Sequence, residues 1–293
     1  EIFEIAERVT VFRDGGKVGV YEPKELDREK LIFLMTGEQV LIEPPEQLED
    51  NREELLCVRG LSKHNNFKDI SFSLRKGEIL GITGRLGSGR TEMALSLFGM
   101  NPPDEGEIRI GGKKRRLRNN ISAVKAGIAY VPENRLKQGL IMPHPIASNM
   151  TLTILKKLLN KSGLLDFREQ EAEASRWVKE LAIKIPSLEA PVQTLSGGNQ
   201  QKVVLSKWLS TQPKILILDE PTVGIDVLAK NSVHDYIKKL ALEGIGIILI
   251  SDEVHEVLSN CHRVLIMDGG RIIDEVMPGP NAEEVLLERF NLA

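Results

Sequence analysis

The sequence has few aromatic residues and no large excess of charge of either sign. Aromatic side chains make up 4% of the 293 residues, which leaves few surfaces on which bases could stack. The 39 basic and 42 acidic side chains give a formal net charge of −3, so the chain has no global positive field to hold a nucleic-acid backbone. The composition therefore argues against a nucleic-acid-binding function.

Long apolar runs and paired cysteines are also missing. A membrane-spanning helix needs about 18 consecutive apolar residues, whereas the longest runs here, such as Ile245 to Ile250, have the length of a strand. Cys57 and Cys261 match no metal-binding or redox spacing and are interpreted as core residues. With 41% hydrophobic residues and 25 glycines, the composition is that of a globular protein with a substantial core.

One pattern occurs twice in the chain. Residues 1–17 and 256–271 each contain a short helical segment ending in arginine, an apolar strand, Asp-Gly-Gly and a basic residue. The central part is a common hairpin pattern, but an acidic amphipathic segment also follows both copies, which favours a true repeat. If the second copy closes a complete domain, the first closes another domain whose body lies upstream. We therefore expect a C-terminal portion of a tandem protein.

A domain boundary is predicted near Leu55. The stretch before it, residues 38–54, is acidic and contains Pro44-Pro45, a composition typical of an interdomain linker. The predicted organisation has residues 1–37 as the C-terminal remnant of a preceding domain, 38–54 as the linker and 55–293 as a complete domain.

A glycine-rich loop follows an apolar strand at 79–83 and precedes a predicted helix at Glu92 to Phe98. Its sequence, Gly84-Arg85-Leu86-Gly87-Ser88-Gly89-Arg90-Thr91, has the spacing of a P-loop, with arginine where lysine is expected. Glycines let successive amides face a phosphate, and the following helix adds its positive dipole end. Thr91 supplies a hydroxyl for magnesium. Taken alone, the loop leaves nucleotide binding and an ordinary turn equally open.

A second apolar strand, Ile215 to Leu218, ends in Asp219 and Glu220. Asp219 at the C-terminal edge of a buried strand is placed to hold Mg²⁺, and Glu220 to polarise an attacking water. A strand that merely ends in acidic residues is the alternative. A helix at Val227 to Leu242, capped by Asp226, and a strand at Gly246 to Ile250 follow, so a parallel crossover is expected.

A third segment lies between these two motifs and precedes a predicted helix at Val203 to Leu209. It reads Leu195-Ser196-Gly197-Gly198-Asn199-Gln200-Gln201-Lys202. A serine and two glycines at a helix start build an anion-binding end, although a helix cap with a flexible approach is the simpler explanation. The conjunction of the three motifs in this order resembles the ATP-binding cassette (ABC) ATPases, whose signature segment precedes the aspartate of the second strand at the same spacing.

Within that family, the resemblance is to the second nucleotide-binding domain of tandem ATPases that power bacterial importers of ribose, galactoside and similar sugars. It is carried by the P-loop with Arg90, by Tyr130-Val131-Pro132-Glu133-Asn134-Arg135 and by the signature segment. It implies an α/β P-loop NTPase fold with a RecA-like core and mixed sheet, an antiparallel β subdomain and an α-helical subdomain at about residues 143–195.

The resemblance also implies cofactors and partners. The cofactors are ATP and Mg²⁺, with Thr91, Asp219 and Glu133 around the metal. The partners are the preceding ABC domain of the same polypeptide, transmembrane permease subunits and, indirectly, a sugar-binding protein, but no nucleic acid. The place of action is the cytoplasmic side of the inner membrane. Soluble tandem cassette proteins that act on ribosomes or DNA, and a non-hydrolytic ATP-binding domain, are the alternatives.

Three positions depart from the family pattern. Arg90 replaces the P-loop lysine, Glu133 stands in place of the Q-loop glutamine, and Asp252 stands in place of the switch histidine. A guanidinium is not equivalent to a lysine at a transferring phosphate, and a carboxylate repels that phosphate. With Glu220 retained, we expect a degenerate catalytic site formed by Glu220, Asp252 and Glu133. In this family the signature completes the site of the other domain, and Ser196-Gly197-Gly198 is intact.

Two further features are weaker signals. Members of this family contact adenine through an aromatic residue upstream of the P-loop, and His64 is the candidate here, with Phe67 as the only other aromatic in that stretch. The basic run at 113–118 lies between Gly-Gly and a predicted helix at Ile121 to Ala126, so a solvated loop is expected.

Overall fold

The protein is described from a computed structural model, which covers residues 2–13, 15–37, 45–46, 48–49, 51–279 and 281–292. Of the predicted linker, residues 38–44, 47 and 50 lie outside the described residues. Within the described ranges, each helix is too short or too polar to cross a bilayer.

The chain forms ten α-helices and twelve strands in the described ranges. The helices are α1 (Ile2–Ile5), α2 (Arg28–Thr36), α3 (Arg90–Leu97), α4 (Asn120–Lys125), α5 (Ile146–Thr151), α6 (Phe167–Glu180), α7 (Gly197–Leu209), α8 (Val227–Leu242), α9 (Val254–Asn260) and α10 (Ala282–Leu292). The strands are β1 (Val9–Arg13), β2 (Gly16–Tyr21), β3 (Glu54–Lys63), β4 (Phe67–Arg75), β5 (Ile79–Gly84), β6 (Glu105–Ile110), β7 (Lys113–Arg115), β8 (Ile128–Val131), β9 (Ile215–Asp219), β10 (Gly246–Ile250), β11 (Arg263–Asp268) and β12 (Arg271–Val276).

The central sheet has six strands in the order β12-β11-β5-β10-β9-β8. The five strands from β11 to β8 are parallel, and β12 pairs antiparallel at one edge. All residues of β5, β8, β9 and β10 are buried, because helices and a second sheet cover both faces, and this explains their continuous apolar sequences. The carboxyl ends of β5, β9 and β10 meet at one edge of the sheet, where Ile250 pairs with Ile82 on one side and Asp219 on the other.

A second, antiparallel sheet has the order β4-β3-β6-β7. Its buried side chains share one core with α3 and one face of the central sheet. The expected solvated loop at 113–118 is wrong in its first half, because Lys113–Arg115 form the exposed edge strand β7, paired to β6. The Lys114 ammonium lies 2.7 Å from Glu107 on that neighbouring strand, so part of the basic charge is already neutralised.

Helices pack on the other face of the central sheet at residues 146–209. Asp166 caps α6 by accepting hydrogen bonds from the amides of Arg168 and Glu169. The helix ends at Glu180, because Ala182 takes a φ of +47° that an α-helix does not permit. Trp177 is buried in this core, and its indole N–H donates to Glu173 over 2.9 Å.

The two copies of the repeat form two matching hairpins. In both, the pairing register shifts at the equivalent place, between Val11 and Phe12 in β1 and between Ile266 and Met267 in β11. Their surroundings differ, since β11 also pairs with β5, whereas in the described part of the chain β1 pairs with β2 alone. Phe12 is accordingly 61% exposed and Met267 fully buried. The assignment of residues 1–37, 38–54 and 55–293 to separate units stays a prediction.

Candidate nucleotide-binding site

The P-loop joins β5 to α3, and its glycines are required by geometry. A Cβ at Gly84 would lie 2.1 Å from the carbonyl oxygen of Met267, and one at Gly89 would lie 2.7 Å from that of Asn66. Gly87 and Gly89 also adopt φ angles of +80° and +93°. Because Gly89 is the cap, α3 begins at Arg90, two residues before the predicted start, and the first-turn amides are left without intrahelical partners.

Three buried polar atoms around this loop have no hydrogen-bond partner. They are the hydroxyls of Thr83 and Ser88 and the Nη1 atom of Arg90. Native proteins rarely leave such atoms unpaired, and a phosphate group placed in the loop would satisfy them together with the first-turn amides of α3. The loop therefore fits a nucleoside phosphate. Arg85 lies on its exposed side.

Thr91 and Asp219 form a pair suited to a magnesium ion. The Thr91 hydroxyl donates to Asp219 Oδ1 over 3.2 Å, and the Tyr130 hydroxyl donates to Asp219 Oδ2 over 2.8 Å. Burial raises the pKa of Asp219, and the two hydrogen bonds oppose that rise. Among the described residues, no three His, Cys, Asp or Glu side chains converge on a metal site. Magnesium, which in nucleotide sites takes one or two carboxylates plus phosphate oxygens, suits such a sparse set.

Arg90 lies between the two other carboxylates of the site. Its Nη1 atom is 3.7 Å from Glu220 Oε1, and its Nη2 atom is 3.4 Å from Asp252 Oδ1. The amide of Asp252 donates to Glu220 Oε1 over 2.8 Å. The Arg90 side chain is 8% exposed, so this cation is held among acidic groups rather than in water. Two of the three departures from the family pattern thus contact each other.

The charges of this group are strongly perturbed. Burial raises the pKa of Glu220, the neighbouring Asp252 carboxyl raises it further, and Arg90 opposes both. Hydrogen bonding with Glu220, assisted by Arg90, lowers the pKa of Asp252. A raised pKa makes the ionised Glu220 carboxylate a stronger proton acceptor, and it also means that Glu220 must first lose its proton before it can act as a general base. Glu220 also adopts a φ of +48°, a strained conformation typical of functional positions.

Glu133 and His64 lie at the margins of the site. Glu133 is exposed at the bend after β8. The burial of Asp219 is the main cause of its raised pKa, and the negative charge of Glu133 raises that pKa further. His64 is exposed in the turn between β3 and β4, where its amide donates to Asp104 Oδ2 over 2.9 Å. Phe67, the other aromatic candidate, is buried. His64 is therefore the available ring of the two.

The signature segment forms a separate group of contacts. Ser196 is the cap of α7, which begins at Gly197, six residues before the predicted start. A Cβ at Gly197 would lie 2.8 Å from Arg135 Nη2, and one at Gly198 would lie 2.4 Å from Ala229 Cβ. Gly197 is thus packed against Arg135 and the loop before α8, and Gly198 against the first turn of α8. The low helix propensity of glycine made this turn look like a flexible approach.

Arg135 is a further functional candidate, although its sequence segment alone gives it no individual role. Its Nη1 atom donates to the carbonyl of Val223 over 2.6 Å, and its Nη2 atom donates to that of Gly224 over 2.8 Å. It therefore fixes the loop 221–226, of which residues 223–226 resemble the D-loop, beside the signature glycines. Asp226 caps α8 as predicted, accepting from the amide of Ala229 over 2.9 Å.

Comparison with known proteins agrees with this arrangement. The family model described as "ABC transporter" matches residues 67–223. The chain is 44% identical over 270 residues to "Ribose import ATP-binding protein RbsA 1" of Agrobacterium fabrum, an alignment that covers 92% of this chain and 53% of that protein. It is 40% identical over 291 residues to "Putative ribose/galactose/methyl galactoside import ATP-binding protein 2" of Burkholderia cenocepacia, covering 98% of this chain and 56% of that protein. The chain spans about half the length of these curated relatives.

Solved structures show the same fold. The ADP conformation of an ATP-binding cassette of an ABC transporter superposes with a TM-score of 0.67 at 20% identity, covering 80% of this chain and 95% of that one. A dimeric post-hydrolysis cassette bound to ADP and phosphate gives a TM-score of 0.66 at 21% identity, covering 77% and 100%. The expected α/β P-loop NTPase fold is confirmed, and the chain belongs to the ABC transporter family of ATP-binding cassettes.

Proposed function

We propose that this chain is the energy-coupling ATPase part of a bacterial importer for a monosaccharide or similar small sugar. The observation that carries the proposal is the convergence of the P-loop, Asp219 and Glu220 at one sheet edge, in a chain at least 40% identical to relatives named as sugar import ATP-binding proteins.

Each residue of the site has a proposed role. The loop amides from Gly87 to Thr91 and the Ser88 hydroxyl bind the phosphates, and the His64 ring contacts the base. Thr91 and Asp219, with Glu133 nearby, hold magnesium, which neutralises phosphate charge when bound. Glu220 orients the attacking water and accepts its proton.

The site is proposed to turn over slowly. Arg90 is already engaged by Glu220 and Asp252, so a phosphate must compete with two carboxylates for it. Losing one preorganised donor at a developing charge typically costs about 10²–10³ in rate. The signature group, Ser196-Gly197-Gly198, is proposed to complete the ATP site of a partner domain instead.

The proposed partners follow from the relatives and from the repeat. A preceding ABC domain of the same polypeptide is supported by the matching hairpins and by the half-length coverage. Transmembrane permease subunits, and through them a sugar-binding protein, are proposed because the relatives are named import proteins. The place of action is then the cytoplasmic side of the inner membrane.

A second candidate function is non-hydrolytic nucleotide binding. The observation that favours it is the contact of Arg90 with Asp252, since the two groups that would face the transferred phosphate bind each other. In this case the domain binds MgATP statically and serves only the partner site.

Nucleotide binding and MgATP turnover, measured in parallel over a range of protein concentrations, test these proposals. Binding without turnover would support the static role. Turnover that rises with the square of protein concentration would mean that two copies build working sites from Arg90 and Glu220, and the proposed asymmetry would be wrong. Absence of MgATP binding would contradict both functions.

A further inference from the structure

A buried polar cluster centred on Glu256 lies next to the proposed nucleotide site. Glu256 is on α9, and its side chain is 1% exposed. Its carboxylate accepts hydrogen bonds from the hydroxyls of Thr222, over 2.7 Å, and Ser251, over 2.5 Å. His234 Nε2 lies 2.6 Å and Lys230 Nζ 3.5 Å from the same carboxylate.

These contacts come from separate parts of the chain. Thr222 follows Glu220 by two residues, and Ser251 directly precedes Asp252. The two basic side chains that contact Glu256 project from α8. One carboxylate therefore joins the segment after β9, the segment after β10 and the helix that follows the loop 221–226.

The Glu256 carboxylate is ionised and is surrounded by several donors and cations. Burial raises the pKa of Glu256, but contact with His234, the Ser251 hydroxyl and Lys230 outweighs burial and brings the pKa to about 2. A buried carboxylate with several donors fixes those donors in place, because moving any one of them leaves a desolvated charge without a partner. The two segments held in this way carry Glu220 and Asp252, which are themselves joined by a hydrogen bond of 2.8 Å.

We propose that Glu256 is a positioning residue that holds the segment Glu220–Gly224 and the segment Ser251–Asp252 at a fixed spacing. On one side this spacing sets the geometry of Glu220, Asp252 and Arg90. On the other side it sets the loop that Arg135 fixes beside the signature. Glu256 acts through these residues and does not touch the nucleotide. The proposal deepens the proposed function and rests on it for its consequence on nucleotide binding.

A merely structural role predicts a different outcome. If Glu256 only stabilised the fold, its replacement would weaken every part of the domain together. If it positions the two segments, the effect is local to residues 220–224 and 251–252, and the central strand β5 is spared.

Hydrogen exchange of the nucleotide-free protein separates these roles. Glu256→Gln keeps the shape of the side chain and removes its charge, and Glu253→Gln is the matched control, because Glu253 contacts the same Lys230 at 2.7 Å but is 57% exposed. We expect exchange in peptides covering 219–226 and 249–255 to accelerate about tenfold or more in Glu256→Gln, as for loss of a hydrogen bond to a charged group. The peptide over β5 and the control should stay within twofold of wild type. Uniform acceleration, or none, would overturn the proposal.

If Glu256→Gln does not fold, a milder pair of variants at Thr222 still tests the proposal. Thr222→Val removes one hydrogen bond to Glu256, and Thr222→Ser retains the hydroxyl. We expect Thr222→Val to accelerate exchange in the same two segments by roughly twofold to tenfold, and Thr222→Ser to behave as wild type. Equal behaviour of the two variants would contradict the proposal.

Binding of a fluorescent N-methylanthraniloyl-ATP with Mg²⁺ tests the consequence. We expect Glu256→Gln to weaken binding by about tenfold, because Glu220 and Asp252 would no longer be held at a fixed spacing, and Glu253→Gln to leave it unchanged. If wild type itself does not bind the analogue, the proposed function fails, while the exchange experiment still decides on Glu256. If wild type binds and both glutamate variants bind equally well, the positioning role is wrong and the nucleotide site stands.

Discussion

The P-loop end and the signature end of this chain are held by different kinds of contact. At the P-loop end, a single guanidinium, Arg90, sits between Glu220 and Asp252, with Asp219 on the neighbouring strand. At the signature end, the contacts are a helix cap, two closely packed glycines and a guanidinium bound to two backbone carbonyls. Both ends need closely packed glycines, but the side-chain contacts at the P-loop end join opposite charges, whereas the Arg135 side chain at the signature end binds backbone carbonyls.

This difference is what the proposed asymmetry between the two ends would require. Arg90 and Asp252 carry opposite charges and contact each other, so each partly neutralises the other. The signature glycines have little freedom to be replaced, since any Cβ at Gly198 meets Ala229. The comparison leads to four predictions, in order of decreasing effect.

The largest effect is expected from restoring the P-loop end. The triple variant Arg90→Lys, Glu133→Gln and Asp252→His should raise MgATP turnover of the proposed tandem protein by up to about 10²–10³, because it places donors next to the phosphate and removes two carboxylates. Steady-state phosphate release measures this. Adding Glu220→Gln to the triple variant should abolish the gain. Unchanged turnover would mean that the P-loop end is not what limits hydrolysis.

At the signature end, adding side-chain volume without any change of charge should be enough to lower turnover. Gly198→Ala places a methyl group 2.4 Å from Ala229 Cβ, so the first turn of α7 must move. We expect turnover of the proposed tandem protein to fall by about 10², while MgATP binding by this chain stays unchanged. Gly279→Ala is the control, because a Cβ at Gly279 meets no atom within 4 Å. A parallel loss of MgATP binding by this chain would show that the two ends are not separable.

A smaller effect is expected for the pairing of Arg90 with Asp252. A double-mutant cycle with Arg90→Lys and Asp252→Asn, followed by urea unfolding, should give a coupling free energy of about 0.5–1 kcal/mol. The value is modest because the Asp252 side chain is 60% exposed, so solvent screens the pair. The same cycle with Arg90→Lys and Glu253→Gln should be additive. Additivity in the first cycle would remove the argument that the two departures compensate.

The smallest effect is expected at the base-binding margin. His64→Ala should weaken MgATP binding by roughly twofold to tenfold, the range of one aromatic contact of about 0.5–1.5 kcal/mol. His64→Phe should restore affinity because it retains a ring at the exposed turn. Calorimetric titration of both variants measures this. An unchanged affinity in His64→Ala would place the adenine elsewhere.

The sequence predicts the parts of this site that are local. The P-loop, the acidic end of β9 and the cap at Asp226 each lie within a few consecutive residues, so spacing reveals them. The predicted start of α7 is too late because propensity is a local measure, whereas Gly197 and Gly198 are required by close contacts with Arg135, with the loop before α8 and with Ala229, all distant in sequence. Packing overrides propensity at such positions.

The contacts that join the motifs could not be predicted in the same way. Arg90 meets Asp252, and Thr222 meets Glu256, only because β5, β10 and β9 are neighbours in the sheet. That order is a property of the topology and leaves no periodic signal in any one segment. Residues that directly follow parallel strands lie at the same edge of the sheet, and this rule predicts that Glu220 and Asp252 are close together. It does not predict that the Arg90 side chain lies between them.

The open edge of the first hairpin has a practical consequence for handling the protein. In the described residues, β1 pairs with β2 alone and carries Phe12 on its surface, and such edges recruit strands from other molecules. A shortened chain beginning at Leu55 would lack this edge. If the edge recruits other molecules, sedimentation velocity should show the longer chain associating at concentrations at which the shortened chain stays monodisperse.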